Sequence, residues 1–442
     1  MDVPSGQPQQ SQPAELFTPK LFTVLREGYS LAALRADAVA GLTVAIVALP
    51  LSMAIAIASG ATPDRGLYAA IFGGFLVSML GGSRYQIGGP AGAFIVLVLA
   101  SVTKHGIDGV LLATMMAGAI LAIAGWLRLG TYIKYIPHPV TVGFTAGIAV
   151  IIFASQIRDL LGITLRGKEP GELIPKLEAL GRAIGTTNAA AVAISLITIA
   201  IIVILRQLRP TWPALLIAVI VTGVAATLLS LPVETIGTRF GGIPQSFPLP
   251  SLPTMTLAKV EEMLPDALAF ALLGAIESLL SAVVADGMTG RRHRPNSELV
   301  AQGLANIGSA LFGGICVTGT IARTATNVRA GARTPVSGML HSVFLLAFML
   351  LAAPLASYIP LATLAGVLAV VAWNMAEKRE FAALLGRPAE AAVLLATFLL
   401  TIFIGLAEGI AVGSLLGGLI FLSRRRKAAR DTRDTAIEDA SS

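Results

Sequence analysis

The sequence predicts an all-α integral membrane protein whose 14 transmembrane segments form 7+7 inverted repeats. Segments 3 and 10 are expected as half-helices, each preceded by a short extended strand. Three observations lead there: a shortage of charge, a nearly unbroken series of apolar runs, and two short glycine-rich segments at matching places. The chain has 442 residues, of which 55% are hydrophobic and 13% charged, and its mean hydropathy is +0.79. A soluble protein carries about 25% charged residues, and a soluble chain of this length needs several domains, each with a polar shell. That charge is missing. A soluble multidomain enzyme and a disordered chain are both excluded. The 45 Gly and 24 Pro suit helices in lipid, where neighbours re-satisfy an interrupted backbone. A single cysteine, Cys316, leaves no internal disulfide and no Cys-based metal cluster. His105, His138, His293 and His341 lack ligand spacing. They are read as loop or interface residues, and neither a metal site nor a cofactor is expected.

Residues 1–34 read as a tail, Gln/Pro/Ser-rich at first and then amphipathic over Leu21–Leu34, which suits an interfacial helix. A span needs about 20 apolar residues. Full spans are expected near 37–58, 66–81, 109–128, 138–161, 188–207, 212–231, 265–287, 297–313, 335–352, 358–374, 389–405 and 408–423. Two segments are too short to cross as full helices, 90–103 and 319–331. With both termini cytoplasmic, twenty-two Lys/Arg fall inside and nine outside, seven of the nine in the long loops 158–187 and 232–264. That asymmetry follows the positive-inside rule. The net charge of +7 is therefore topological, and no nucleic-acid partner is expected. Trp126, Tyr132, Tyr135, Trp212, Tyr358 and Trp373 fall near segment ends, as an aromatic belt does.

The short segments occupy third and tenth place, and the chain enters them from opposite sides. Their helices then run oppositely from starting points near the bilayer midplane, the pattern of a transporter site built from inverted repeats. Each helix start leaves unpaired N–H groups and a partial positive charge. Two such ends facing each other hold an anion without a fixed cation. Pro90 suits a first-turn position, and Gly88, Gly89, Gly92 and Gly319 permit close backbone approach. Two ionisable residues lie deep in apolar sequence, Glu277 and Arg323, and intramembrane charges are costly and functional by default. Glu277 suits proton coupling. With Ser281 one turn on, and with midplane carbonyls such as that of Gly319, it also offers a Na⁺ site. A structural Glu277–Arg323 pair is the plainer alternative. Asp37, Asp64, Asp266, Asp286 and Glu408 fall at segment ends and are read as interfacial.

Long, ordered motifs give a family resemblance over about 35–425. They are the run from Asp37 to Ala56, Gly66-Leu-Tyr68, the run from Asn296 to Ile307, Leu311-Phe-Gly-Gly314, Thr318-Gly-Thr-Ile-Ala-Arg-Thr324, and the run from Arg329 to Gly338. The chain resembles the SulP anion transporters, which include sulfate permeases, bicarbonate transporters and dicarboxylate transporters. The resemblance implies a core domain (35–130 and 265–352) that moves like an elevator against a gate domain (131–231 and 353–423). It places the anion at Leu51 and Ile55, at Gly89, Pro90, Ala91, Gly92 and Phe94, and at Thr318, Gly319, Thr320, Ile321, Ala322 and Arg323. The family's eighth-segment carboxylate falls on Glu277, and a Glu there resembles the proton-coupled members. Leu51 stands where several animal members carry Gln, so backbone N–H groups would do more of the binding. The family's usual cytoplasmic STAS domain is not expected in the tail 424–442. The reading is a multi-pass plasma (inner) membrane carrier, not an enzyme. It would take sulfate first, bicarbonate or a dicarboxylate next, by H⁺ symport with Na⁺ as the alternative. The bilayer and the anion are its partners, with a homodimer allowed. An anion channel and a nucleobase transporter are the remaining rivals.

Overall fold

The computed structural model describes residues 17–135, 137–167, 169–210, 212–406 and 408–420. Expectations for residues 1–16, for the last span's end at 421–423 and for the tail 424–442 lie outside them. The described chain is helical apart from loops and one two-stranded ladder. In order the elements are α1 (Lys20–Glu27), α2 (Leu31–Ala58), α3 (Pro63–Tyr68), a π-helical turn (Ala69–Gly73), α4 (Gly74–Leu80), β1 (Gly88–Gly89), a 3₁₀ turn (Gly92–Phe94), α5 (Ile95–Trp126) and α6 (His138–Leu161). Next come α7 (Leu173–Arg182), α8 (Ala189–Leu208), α9 (Ala214–Leu228), α10 (Ile236–Phe240), α11 (Leu257–Thr289), α12 (Pro295–Leu311), β2 (Thr318–Gly319), α13 (Ile321–Arg329) and α14 (Val336–Ala356). The chain continues through α15 (Leu361–Met375), α16 (Lys378–Leu385) and α17 (Pro388–Phe403) to α18 (Glu408–Ile420). Among the described residues seven helical stretches are long and apolar enough to cross a membrane, and three shorter apolar helices accompany them.

Several elements differ from expectation for local reasons. The amphipathic stretch at 21–34 is two helices, because Gly28 takes φ 92° and the Ser30 hydroxyl caps α2 by accepting from the Ala33 amide at 3.2 Å. The third and fourth segments form one run, Gly92–Trp126, bent where Gly106 adopts φ 69° and ψ −179°. The span at 66–81 is one continuous helical run, Pro63–Leu80, with a π-helical turn at Ala69–Gly73 inside it. Helix α11 begins at Leu257 rather than near 265, because Pro265 is accommodated inside it and the Thr256 hydroxyl caps its start.

Two sets of helices pack around each other. In one, α5 lies against α11 and α12, α2 against α14, and α4 against α12 and α14; in the other, α6 lies against α15 and α17, and α8 against α15 and α9. Buried carboxylates stitch the first set together. Asp37 is fully buried rather than interfacial. It accepts from the Arg333 amide at 2.7 Å, the Thr334 amide at 3.1 Å, the Thr334 hydroxyl at 2.6 Å and the Tyr29 hydroxyl at 3.0 Å. Burial, the Asp37 charge and that hydrogen bond push the Tyr29 pKa up to about 12, so it stays a donor. Glu298, also fully buried, accepts from the Gly82 and Ser83 amides at 2.9 and 3.2 Å and from the Gln302 amide at 3.0 Å. Each carboxylate satisfies two loop amides next to a half-helix. His341 is buried within α14, not in a loop, because it shares the helix face of Ser337 that packs closely against Gly41 of α2.

Asp37→Ala leaves two amides and two hydroxyls without their acceptor. Unpaired buried donors cost about 1–3 kcal/mol each, so the variant loses on the order of 3 kcal/mol or more. Thermal unfolding of the detergent-purified protein measures it, and an unchanged midpoint contradicts the clasp.

Candidate functional site

Strands β1 and β2 pair antiparallel, Gly88 opposite Gly319 and Gly89 opposite Thr318. Each leads straight into a helix start. After β1, Pro90 and the cap residue Ala91 precede the 3₁₀ turn at Gly92, so Pro90 sits before the cap, one step outside the first-turn place expected for it. After β2, Thr320 caps α13. The first backbone bonds back into these helices are Phe94 N to Ala91 O at 3.1 Å and Thr324 N to Thr320 O at 2.9 Å. The amides of Gly92, Ala93, Ile321, Ala322 and Arg323 come before those bonds and have no partner within their own helix.

Side chains hold the chain that enters each strand. Asn327 donates to Tyr85 O at 3.0 Å, the Ile87 amide donates to the Thr324 hydroxyl at 3.1 Å, and Thr320 N donates to Ile87 O at 2.9 Å. On the other side, Asn306 donates to Val317 O at 2.8 Å and accepts from Val317 N at 2.9 Å, while the Ser309 hydroxyl donates to Ile315 O at 2.7 Å. Of these, Thr320 was expected at the anion site, while Asn327, Thr324, Asn306 and Ser309 were given no role from the sequence.

Both helix starts face one cavity of about 270 Å³. Of the residues expected at an anion site, Leu51, Ile55, Pro90, Ala91, Gly92, Thr320, Ile321, Ala322 and Arg323 line it, together with Glu277. Four others do not. Gly89 and Gly319 form the ladder. The Thr318 hydroxyl turns to α11, 2.8 Å from the Ser278 hydroxyl and 3.2 Å from Gly274 O. Phe94 packs edge-on against Phe270 at 6.0 Å. Ser281 is fully buried, and its hydroxyl lies 3.0 Å from Gln86 Oε1 and 3.1 Å from the Thr324 hydroxyl. It shares a helix face with Glu277 but is taken up in that network.

Arg323 is 1% exposed. Its Nη2 donates to the Ser52 hydroxyl at 3.2 Å and to Pro90 O at 3.3 Å, and a Cβ at Gly89 would collide with Nη1. The guanidinium is thus packed against Gly89, Pro90 and Ser52 at the half-helix starts. No Glu277 oxygen lies within ion-pair distance of the guanidinium. Glu277 Oε2 and Arg323 Nε and Nη1 all lack hydrogen-bond partners. The structural pair is therefore absent.

The opposite wall comes from the second set of helices: Phe144, Thr145 and Ile148 of α6, Arg206 of α8, Val371, Asn374 and Met375 of α15, and Glu377 beyond it. Arg206 was counted as a cytoplasmic loop charge, and Glu377 was not singled out. Their signal is tertiary, since each stands at a helix end in a sequence that gives no hint of what it faces.

A cavity between two broken helices inside a polytopic helical bundle is the architecture of a membrane transporter. The sulfate permease family model matches residues 34–397, and the chain belongs to that family; it is a multi-pass membrane transporter and not an enzyme. It is 44% identical over 407 residues to the putative sulfate transporter YvdB of Bacillus subtilis, covering 91% of this chain and 76% of that one. It is 32% identical over 406 residues to the bicarbonate transporter BicA of Picosynechococcus, covering 88% and 70%. Among solved structures it matches the transmembrane domain of a cyanobacterial BicA with TM-score 0.78 and 31% identity, over 86% of this chain and 98% of that one. The overall structure of SLC26A9, at 18% identity and TM-score 0.83 over 92% of this chain and 68% of that one, shares the fold.

Gly319→Ala places a methyl group where the Gln86 amide lies, and overpacking of this kind costs about 1–3 kcal/mol. The expected outcome is a lower unfolding midpoint. An unchanged midpoint contradicts the tight fit of Gln86 against the ladder.

Proposed function

We propose that the protein is a secondary active transporter of a small inorganic anion, sulfate first, working by H⁺ symport through an elevator motion. One observation carries this reading: two opposed helix starts, joined by the ladder, face a cavity that also holds the unpaired Glu277 carboxylate. The fourteen-segment, 7+7 inverted topology with both termini cytoplasmic belongs to the proposal. In it residues 35–130 and 265–352 form the moving core, and 131–231 and 353–423 form the gate. The cavity lies where the two meet.

The charges favour a dianion carried with one proton. Arg323 supplies one positive charge, and two helix starts add about half a charge each, roughly two in all. A sulfate balances that sum only when Glu277 is neutral. With Glu277 ionised, the loaded core carries about one uncompensated negative charge into a low-dielectric path, which is costly. Proton and anion therefore cross together. A bicarbonate would balance the same site with Glu277 ionised and would need no proton. The naming of two cyanobacterial relatives as bicarbonate transporters keeps that as the second reading.

Labelled-anion uptake into proteoliposomes tests the proposal. An inward proton gradient should drive sulfate accumulation in the wild type. Glu277→Gln should lose gradient-driven accumulation while keeping exchange of internal for external sulfate. If Glu277→Gln accumulates sulfate like the wild type, the coupling role is wrong. Arg323→Gln should weaken anion binding by roughly tenfold or more, about 1.4 kcal/mol, read as sulfate-dependent thermal stabilisation. Unchanged affinity contradicts the field assigned to Arg323.

A further inference from the structure

We infer that Gln86 selects the coupling ion: its carboxamide fills the place a Na⁺ would need beside Glu277 and so leaves the proton as the only ion the site accepts. This deepens the transport reading and rests on it.

A sodium ion in a carrier of this kind is held by several oxygens at once, from carboxylates, hydroxyls and the carbonyls of interrupted helices. The residues available for that here are Glu277, Ser281 and the backbone at Gly319. Gln86 lies among them. It is 2% exposed and comes from the segment that enters β1. Its Nε2 donates to Ser278 O at 2.8 Å, and its Oε1 accepts from the Ser281 hydroxyl at 3.0 Å. The same Nε2 rests against Gly319 so closely that a Cβ there would overlap it. The amide thus bridges α11, immediately after Glu277, to the ladder.

The hydroxyls around Gln86 are already hydrogen-bonded, and the lone pairs left on Ser278 and Ser281 reach a cation only if the amide lying between Ser281 and Gly319 moves aside. The Ser278 hydroxyl donates to Gly274 O at 2.6 Å and lies 2.8 Å from the Thr318 hydroxyl. The Ser281 hydroxyl has Gln86 and Thr324 as partners, and Thr324 Oγ1 accepts from the Ile87 amide. The Gln86 Nε2 presents its hydrogens to Ser278 O and beside Gly319, where a cation would need lone pairs. To admit Na⁺, Gln86 would have to leave both its bonds and remain unpaired in a buried place, which is unfavourable. Glu277 Oε2, by contrast, has no partner. A proton needs only that one oxygen.

The test uses the full-length protein. Its thermal unfolding midpoint is compared in NaCl, KCl and N-methylglucamine chloride at equal ionic strength, and labelled sulfate uptake is measured in the same salts. The wild type should show one midpoint in all three and uptake that ignores Na⁺. Gln86→Ser removes the amide, and Gln86→Glu keeps its shape while replacing the donor with an oxygen that faces Ser278 O. Both should gain a Na⁺-specific rise in midpoint. Gln86→Glu is the closer mimic and serves if the smaller side chain prevents folding. A wild type that Na⁺ stabilises above K⁺ overturns the inference, and so does a folded Gln86→Glu protein indifferent to Na⁺. Absence of sulfate uptake under every gradient sinks the transport reading instead, while the unfolding comparison still decides the ion.

Discussion

The two-residue ladder between Gly88–Gly89 and Thr318–Gly319 is the constraint on which the rest of the molecule depends. A chain that stops being helical inside a bundle this apolar must pair its backbone elsewhere, because there is no water to do so. Each strand is too short to stand alone. Side chains hold both: Asn327, Thr324 and Thr320, from the distant part of the sequence, fix the approach to β1, and Asn306 and Ser309 of the preceding helix α12 fix the approach to β2. Asp37 and Glu298 repeat the device one layer out, each accepting two loop amides. Polar residues in this bundle therefore serve mainly to permit two interruptions. The interruptions in turn expose the helix starts that face the cavity.

What could be read from the sequence follows from the range of each signal. Gly88, Gly89, Pro90 and Thr318-Gly319 mark the breaks locally, so both half-helices and their juxtaposition were legible. Nine of the residues expected at the site line the cavity, with Glu277 beside them. The others failed because a residue's place along a helix or strand does not tell what it meets. Ser281 shares a face with Glu277, yet Gln86, distant in sequence, claims its hydroxyl. Thr318 adjoins the half-helix, yet turns to Ser278. Asp37 resembles an interfacial acid until the loop at Arg333–Thr334 folds over it. Arg206 obeys the positive-inside count and lines the cavity as well, and a charge count cannot distinguish the two.

Arg323 shows why a charge and a contact are separate things. Its guanidinium is shut behind Gly89 and Pro90, so removing water from it costs more than it would at the cavity surface. A binding arginine would be expected in the open, with its fork toward the ligand. Set behind the helix starts, the charge instead adds to their partial charges without imposing the geometry of any one oxyanion. The donors at the helix starts are backbone amides, which suit any small oxyanion of the right charge.

On the proposed reading, selectivity then lies in charge balance rather than in shape. On the side of the half-helices the fixed positive contribution comes from Arg323 and the helix ends, and Glu277 is the lining acid there that can take up a proton, while Arg206 and Glu377 face it from the opposite wall. Around them Leu51, Ile55, Phe144, Ile148 and Val371 keep the cavity apolar. A low-dielectric wall magnifies any imbalance, so a site with loose geometry still discriminates sharply by net charge. The same wall separates the loaded forms: by that count sulfate without its proton leaves about one negative charge and a proton without sulfate about two positive ones, so the form that carries both is the balanced one.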